Sequence, residues 1–223
     1  MSGHPIFAAV YGAMARSTEA GPIGDARREL LRGARGVVVD LGSGIGLNLA
    51  HLGHAVTAVH LIEPDPHMVR RLNRRIEDGA AAGSTKGVEA GATAGTGAAT
   101  IAVHQVGAES LPLPDASVDT VLATLTLCTV DDLAASVGQI RRVLRPGGQL
   151  LVLEHVRSTD ARLARRQDSG HGPWRWFAAG CHSNRDTPAA LAAVGFDVSV
   201  LDRFTVPALA PTREWVSGTL GWG

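Results

Sequence analysis

The feature of this sequence that most constrains its fold is an apolar run that ends in an acid and leads into a glycine-rich turn. The segment reads Val37-Val38-Val39-Asp40-Leu41-Gly42-Ser43-Gly44-Ile45-Gly46-Leu47-Asn48-Leu49. The apolar run is typical of a buried strand, and the apolar residues after the turn have helical spacing. Glycines leave the backbone of the turn open to close approach by a ligand. The segment therefore predicts a strand, a tight turn and a helix that together form a binding site.

The acid at the end of this first strand indicates which ligand the turn accepts. A carboxylate at Asp40 would repel the pyrophosphate of a dinucleotide, whereas it would attract a cofactor that carries an ammonium group. Leu47 also stands where the dinucleotide-binding fingerprint has its third glycine. The residues therefore favour S-adenosylmethionine as the cofactor and disfavour a nicotinamide dinucleotide.

A second acid stands where an adenosine-containing cofactor needs one. Glu63 ends another β-rich run, residues 56–63, and lies roughly 20 residues beyond the glycine turn, the usual offset for a carboxylate that binds the ribose hydroxyls. Each element alone is weak evidence, but the two acids and the glycine turn support one another. The alternative is that the glycines only close a turn and that Glu63 begins a solvated helix.

Composition limits the class of protein and its partners. The chain has 223 residues, 45% of them hydrophobic, and a formal net charge of zero, which suits one domain with a sizeable core. A neutral chain argues against a nucleic-acid partner, and no apolar run approaches the roughly 20 residues that cross a bilayer. The first residues lack the features of a signal peptide. We therefore expect a cytoplasmic protein with a small-molecule substrate and no stable membrane insertion; the sequence carries no signal for an oligomeric state.

The two cysteines lie far apart in the sequence, at Cys128 and Cys181. This spacing predicts reduced thiols, no disulfide framework and no zinc or other metal site. Cys128 follows a predicted strand and is interpreted as a residue that lines the pocket, and Cys181 has no predicted role.

The order of apolar segments predicts a doubly wound α/β sheet, because strands alternate with helices along the chain. The predicted strands cover residues 36–41, 56–62, 100–106, 118–125, 149–155, 196–204 and 215–222. The predicted helices cover residues 26–31, 46–52, 66–77, 131–144 and 187–194.

Three segments depart from this alternation within a single domain spanning residues 1–223. Residues 1–34 are predicted to form an N-terminal helical lid, with Tyr11 on its apolar stripe. Residues 79–99 are almost entirely Gly, Ala, Ser and Thr, and this composition predicts a flexible surface loop. Residues 157–186 contain three aromatic residues, which predict either a cap over the substrate pocket or a small satellite core.

The motifs together resemble those of class I S-adenosylmethionine-dependent methyltransferases, in the small-molecule branch that includes the ubiquinone and menaquinone C-methyltransferases. The resemblance covers residues 36–155 and rests on three motifs, at 39–46, 111–119 and 142–148. Shorter segments at 124–130, 154–156 and 180–187 look like the methyltransferase-like family of alkyl-thiol S-methyltransferases. The resemblance implies a Rossmann-like sheet of seven strands, the last of them antiparallel, flanked by helices.

The resemblance also implies a set of cofactor-binding residues. The glycine turn would hold the methionine end of the cofactor, Glu63 the ribose, and the segment after the third predicted strand the adenine. Relatives commonly have an aspartate that accepts a hydrogen bond from the adenine amino group, and this chain has Gly107 in its place. The expected set is Asp40, Gly42, Ser43, Gly44, Gly46, Asn48, Glu63, Pro64, Gly107, Ala108, Glu109 and Leu125.

The candidate catalytic residues are His155, His182 and Tyr11. His155 ends the fifth predicted strand, at the edge where open α/β sheets bind ligands, and histidine is suited to proton transfer near neutral pH. The alternative role for His155 is structural, and Asp186 is more typical of a helix cap than of a site residue.

The sequence leaves the acceptor open. S-methylation of a small thiol is favoured, because a thiol needs little help from a base. C-methylation of a quinone-like ring and N-methylation of an amine or phospholipid headgroup are the alternatives within the class. A cofactor-binding protein without catalysis is the alternative outside it.

Overall fold

Helices and strands alternate through the computed structural model, which describes residues 19–81, 88–90, 99–178, 180–206 and 211–223. The helices are α1 (Pro22–Leu31), α2 (Pro66–Ala81), α3 (Leu133–Val143), α4 (Ala161–Phe177) and α5 (Thr187–Ala193), with short 3-10 helices at Asn48–His51 and Val198–Val200. The strands are β1 (Gly36–Leu41), β2 (Val56–Ile62), β3 (Val88–Ala90), β4 (Ala99–His104), β5 (Val118–Thr124), β6 (Leu144–His155), β7 (Asp202–Thr205) and β8 (Glu214–Gly221).

The strands form one sheet in the order β3-β4-β2-β1-β5-β6-β8-β7. The pairs from β3 to β6 are parallel, whereas β8 runs antiparallel to both of its neighbours, β6 and β7. The predicted Rossmann-like sheet with an antiparallel last strand is confirmed. Among the described residues the sheet has eight strands rather than seven, because β3 adds a short edge strand.

Successive side chains of the buried strands point to opposite faces of the sheet, so both faces are apolar. Helices cover both of them. Val39 packs in one apolar cluster with Val137 and Ile140 of α3, whereas Val38 packs in the other with Leu72 of α2. Aspartates begin three of these helices: Asp132, Asp160 and Asp186 accept hydrogen bonds from backbone N–H groups of the first turns of α3, α4 and α5. The prediction that Asp186 is a helix cap is confirmed.

Three local predictions were wrong. The segment after the glycine turn forms the 3-10 helix Asn48–His51 instead of an α-helix over 46–52; the Asn48 side chain at its start donates to Asp40. Within the predicted loop 79–99, β3 pairs with β4 through the backbone, which needs no apolar side chains. The predicted strand 196–204 begins with the 3-10 helix Val198–Val200, capped by Asp197, and only Asp202–Thr205 joins the sheet.

The N-terminal prediction lies mostly outside the described residues. Residues 1–18, and Tyr11 with them, are not described, and only α1 represents the predicted lid of residues 1–34. In the described part of the chain, no helix has both the length and the apolar character needed to cross a membrane.

Candidate active site

The carboxyl ends of the six parallel strands point to one edge of the sheet. Leu41 at the end of β1 lies opposite Ile62 of β2 and Ala123 of β5, and Thr124 of β5 lies opposite Leu153 of β6. The predicted acids Asp40 and Glu63 and the predicted base His155 therefore lie at the same edge. Open α/β sheets bind their ligands at this edge, next to the strand where the order reverses.

The glycine turn has a backbone that other residues would not adopt. Gly42 has a φ of 58° and Gly46 a φ of 77°, both in the left-handed region. A Cβ atom on Gly42 would lie 2.7 Å from Thr126 Cγ2, and one on Gly46 would lie 2.7 Å from Leu72 Cδ1. Ser43 fixes the turn, since its N–H donates to the Ile62 carbonyl at 3.0 Å and its hydroxyl to the Asp40 carbonyl at 2.8 Å. The turn is thereby packed tightly against Thr126 and Leu72.

Asp40 is buried, with 1% of its surface exposed. Asn48 Nδ2 donates to Asp40 Oδ1 at 2.7 Å, and Arg27 Nη1 donates to Asn48 Oδ1 at 2.6 Å. Asp40 Oδ2 has no hydrogen-bond partner among the described residues. Burial raises the pKa of Asp40 to about 7, against the opposing effects of the Asn48 hydrogen bond and the Arg27 charge. A buried carboxylate oxygen without a partner is unfavourable when ionised, unless a cation or a hydrogen-bond donor pairs with it.

Glu63 joins the glycine turn to the end of β2. Its Oε2 accepts the Gly44 N–H at 2.8 Å, and its Oε1 accepts the Asp65 N–H at 2.9 Å, across the intervening Pro64. Burial raises the pKa of Glu63, although these two backbone donors oppose the change. An ionised carboxylate has about four acceptor sites, so both oxygens can accept further hydrogen bonds from a ligand.

The glycine that replaces the expected aspartate has a structural explanation. Glu109 Oε1 accepts the backbone N–H groups of Asp131, at 2.9 Å, and Asp132, at 3.3 Å, just before α3. A Cβ atom on Gly107 would collide with the Glu109 carboxylate, and Ala108 between them is buried. Gly107 therefore gives Glu109 room to fold back onto the loop before α3.

The loop after β5 is held by an acid whose role the sequence did not reveal. Glu154 is fully buried; its Oε1 accepts the N–H groups of Thr126 and Leu127, each at 2.7 Å, and its Oε2 accepts that of Cys128 at 3.3 Å. Burial raises its pKa to about 7, and the charge of His155 opposes that rise. The only sequence signal for Glu154 was an acid in a continuous apolar strand. These three hydrogen bonds fix the loop directly after Leu125, whose φ of 61° is a conformation that costs a non-glycine residue about 1–2 kcal/mol.

Next to Glu154, His155 contacts a cysteine instead of an acid. His155 Nε2 lies 3.0 Å from Cys181 Sγ, and Trp174 Nε1 donates to the same sulfur at 3.4 Å. Cys128 is adjacent: both cysteines are free, and donor atoms of Cys128, His155 and Cys181 all lie within 4.8 Å of one another. Contact with Cys128 and with His155 lowers the pKa of Cys181, whereas the Cys181 contact and burial raise that of Cys128. The fold thus unites two cysteines that the sequence separates.

His182 is the weaker candidate for acid–base chemistry. Its backbone N–H donates to the Cys128 carbonyl at 2.7 Å, and its ring lies 4.8 Å from that of His171. Burial, together with the charge of Arg185, lowers the pKa of His182 to about 4. A base this weak is poorly matched to proton transfer at neutral pH.

Two comparisons by sequence identify relatives of this chain. A family model described as "Methyltransferase domain" matches residues 39–152, half of the chain. Human thiol S-methyltransferase TMT1B is 29% identical over 182 residues, which cover 79% of this chain and 67% of the human protein. The ubiquinone/menaquinone biosynthesis C-methyltransferase UbiE of Hahella chejuensis is 42% identical over 64 residues, which cover 29% of this chain and 26% of UbiE.

Comparison with solved structures agrees on the fold. A SAM-dependent methyltransferase from Thermotoga maritima matches with a TM-score of 0.60, over 98% of this chain and 99% of that chain. The two sequences are 18% identical, so this likeness concerns the arrangement of helices and strands alone.

Proposed function

This chain belongs to the methyltransferase domain family, and on that premise we propose that it methylates the sulfur atom of a small thiol. It is an S-adenosylmethionine-dependent methyltransferase with a Rossmann-like fold. The cofactor supplies a methyl group on a positively charged sulfur, and an acceptor displaces that sulfur in line. The chain's own task is to bind the cofactor and to hold the acceptor about 3–3.5 Å from the methyl carbon.

The residues at the carboxyl edge fit this cofactor. The unpartnered Oδ2 of buried Asp40 would accept the ammonium group of the methionine end. Glu63 would accept the ribose hydroxyls with the acceptor sites that Gly44 and Asp65 leave. Thr126 and Leu72 occupy the space that Cβ atoms on Gly42 and Gly46 would fill, so only glycines let the turn pack this closely on the protein beneath it.

We choose a thiol as the acceptor because the alignment with a thiol methyltransferase is long. The alignment with human TMT1B runs over 79% of this chain, whereas that with UbiE covers 29%. The longer alignment, of 182 residues, exceeds the stretch 36–155 that holds the cofactor-binding motifs. The shorter one favours C-methylation of a quinone-like ring as the second candidate.

The chemistry at the end of β6 also suits a thiol. A thiol has an ordinary pKa near 8.5, so a few per cent is thiolate at neutral pH without a strong base. Glu154, the carboxylate beside His155, is already bound by three backbone N–H groups. A carbon acceptor would need a stronger base than this arrangement supplies.

Methyl transfer from labelled S-adenosylmethionine tests the proposed function. The enzyme is incubated with separate panels of small thiols, quinols and amines, and products are identified by mass spectrometry. We expect the label in a thioether, together with one S-adenosylhomocysteine per methyl group transferred. Label on carbon or nitrogen would replace the thiol with another acceptor, and no labelled product from any panel would favour a cofactor-binding protein without catalysis.

We predict a moderate effect at the second acid. Replacing Glu63 by Gln keeps one acceptor oxygen but removes the charge and half of the acceptor capacity. The affinity for S-adenosylhomocysteine should fall about tenfold, the equivalent of about 1.4 kcal/mol for a weakened hydrogen bond to a charged group. Calorimetric titration measures it. Glu77→Gln, at an exposed position on α2, is the control that should leave affinity unchanged, and equal affinities for the two variants would contradict the role of Glu63.

A further inference from the structure

Three side chains that can bind a metal converge beside the glycine turn. One donor atom each from Cys128, His155 and Cys181 lies within 4.8 Å of the other two, and the contact between His155 Nε2 and Cys181 Sγ is 3.0 Å. Tetrahedral zinc, with Zn–S bonds of about 2.3 Å and Zn–N bonds of about 2.0 Å, places its ligand atoms roughly 3.5–3.8 Å apart. This spacing lies between the 3.0 Å that separates His155 Nε2 from Cys181 Sγ and the 4.8 Å within which all three donor atoms lie.

Hydrogen bonds to the backbone hold the three donors together independently of any metal. The His182 N–H, next to Cys181, donates to the Cys128 carbonyl at 2.7 Å, and Arg185 donates to the neighbouring Leu127 carbonyl at 2.7 Å. Glu154, next to His155, accepts the Cys128 N–H. The loop after β5, the end of β6 and the loop after α4 are therefore fixed to one another, as a preformed metal site requires.

We propose that Cys128, His155 and Cys181 bind a zinc ion whose fourth coordination position takes the sulfur of the acceptor thiol. Two thiolates and an imidazole form a donor set that zinc prefers, and zinc sites with three protein ligands are catalytic sites with one open position. Cys128 and His155 are buried, whereas Cys181 is partly exposed as a residue, so Cys181 is the most accessible of the three ligands. The wide spacing of the cysteines predicted no zinc site, but the fold removes that separation.

The cluster lies next to the proposed cofactor site. Thr126 Oγ1 donates to the Leu41 carbonyl at 2.6 Å, immediately before the glycine turn, and Cys128 is two residues further along the same loop. A ligand on the open position of the metal would therefore approach the methyl donor from the β5–β6 side. In this arrangement His155 is a ligand that positions the acceptor, which differs from the acid–base role predicted from the sequence.

The role in methyl transfer rests on the proposed function, and its chemistry balances. The thiol loses its proton to solvent when its sulfur binds zinc. An electron pair of this sulfur then forms the new S–C bond, while the electron pair of the broken S–C bond stays on the departing sulfur as S-adenosylhomocysteine leaves. The thioether product is a weaker ligand than a thiolate and dissociates from the metal.

Cobalt substitution tests the metal site without reference to activity. Reduced, metal-free full-length protein is titrated with Co²⁺, and we expect one ion per chain with a thiolate-to-cobalt charge-transfer band. Cys181→Ser and His155→Gln should each lower cobalt affinity by at least about 100-fold, since even the groups behind metal ligands change affinity by 10- to 100-fold. His54→Gln, at an exposed position before β2, is the matched control and should change nothing. Cys181→Ser keeps the test valid if a variant at the buried Cys128 fails to fold.

Three outcomes would overturn the proposal. The first is the absence of a charge-transfer band, and the second is a band that persists unchanged in Cys181→Ser. The third is a disulfide between the two cysteines that forms in air and that zinc does not prevent, detected in protein unfolded with a chelator as two thiols that react with an alkylating reagent only after reduction.

Methyl-transfer assays then separate the metal site from the proposed function. Thiol methylation that zinc restores to metal-free protein supports both. Equal rates with and without zinc overturn the catalytic role of the metal and leave the thiol acceptor standing. A cobalt band without methylation of any thiol leaves the metal site standing and overturns the acceptor.

Discussion

Replacing Asp40 by Asn is expected to lower the affinity for S-adenosylhomocysteine about 10- to 100-fold while leaving the protein at least as stable as the wild type at neutral pH. The affinity falls because a hydrogen bond to a charged partner is worth about 1.5–3 kcal/mol, and Oδ2 of Asp40 is the oxygen that the ammonium group would bind. Stability does not fall because the neutral amide avoids burying a charge. The amide oxygen can still accept the hydrogen bond from Asn48.

The pH dependence follows from the sign of the pKa change at Asp40. Burial raises its pKa from an ordinary value of 3.8 to about 7 in the folded protein. Between these values the folded state holds a proton that the unfolded state has released, so the contribution of Asp40 to stability falls by about 1.4 kcal/mol for each pH unit. Above a pH of about 7 both states are ionised and the loss is complete. Ligand binding has the opposite dependence, because the ammonium group needs the ionised acid.

Calorimetry at pH values about one unit below and above 7 checks both expectations. For the wild type, affinity should be higher at the upper pH, and binding at the lower pH should release protons, detected by comparing buffers of different ionisation enthalpy. Asp40→Asn should show neither effect. Asp78→Asn, at an exposed position on α2, is the matched control. A wild type whose affinity is unaffected by pH, or an Asn variant that binds like the wild type, would remove Asp40 from the cofactor site.

The cofactor-binding residues could be predicted from the sequence because they lie in short segments at the ends of neighbouring strands. Asp40 and the turn at Gly42 and Gly46 lie within one short segment, and alternation of strands and helices favours β2 beside β1 in a parallel sheet. Glu63 must then end its strand at the same edge, as the pairing of Leu41 with Ile62 shows. Local pattern and the handedness of parallel connections are sufficient for this much.

The residues that the sequence did not reveal depend on contacts between distant segments. Arg27 reaches Asn48 and Thr124 from α1. Its helical spacing places it on the buried face with Ile23 and Leu31, unlike the exposed Arg28 beside it, but that spacing does not name its partners. Cys128 and Cys181 come together only because the loop after α4 folds back onto the end of β5. Tertiary packing decides which side chains become partners in such cases. The spacing of residues along the sequence does not reveal those partners.

The glycine at position 107 shows how a departure from a family pattern becomes interpretable only in three dimensions. The sequence indicated a lost contact with adenine. The structure shows that Glu109 fills the space that a side chain at 107 would need and binds the backbone at Asp131 and Asp132. Glycine at position 107 therefore leaves room for the Glu109 side chain, which holds the loop before α3 in place.

The largest effect on stability is expected at Glu154. Replacing it by Ala leaves three N–H groups, those of Thr126, Leu127 and Cys128, without the acceptor that they have in the folded protein. Each unsatisfied buried donor costs about 1–3 kcal/mol. Because the buried carboxylate and its desolvation cost disappear as well, we expect a net loss of about 3 kcal/mol in the free energy of unfolding. That loss corresponds to a fall of roughly 6–12 °C in Tm for a chain of this size.

Chemical denaturation in metal-free buffer measures this loss, and a second acid provides the control. Glu109 also accepts two backbone N–H groups, but it is only partly buried, so water can replace its oxygens. Glu109→Ala should therefore cost less than about 1 kcal/mol, and Glu154→Gln, which keeps one acceptor oxygen, should lie between the two. Equal losses for Glu154→Ala and Glu109→Ala would show that the Glu154 carboxylate does not hold the loop after β5. The strained Leu125 and the position of Cys128 would then need another cause.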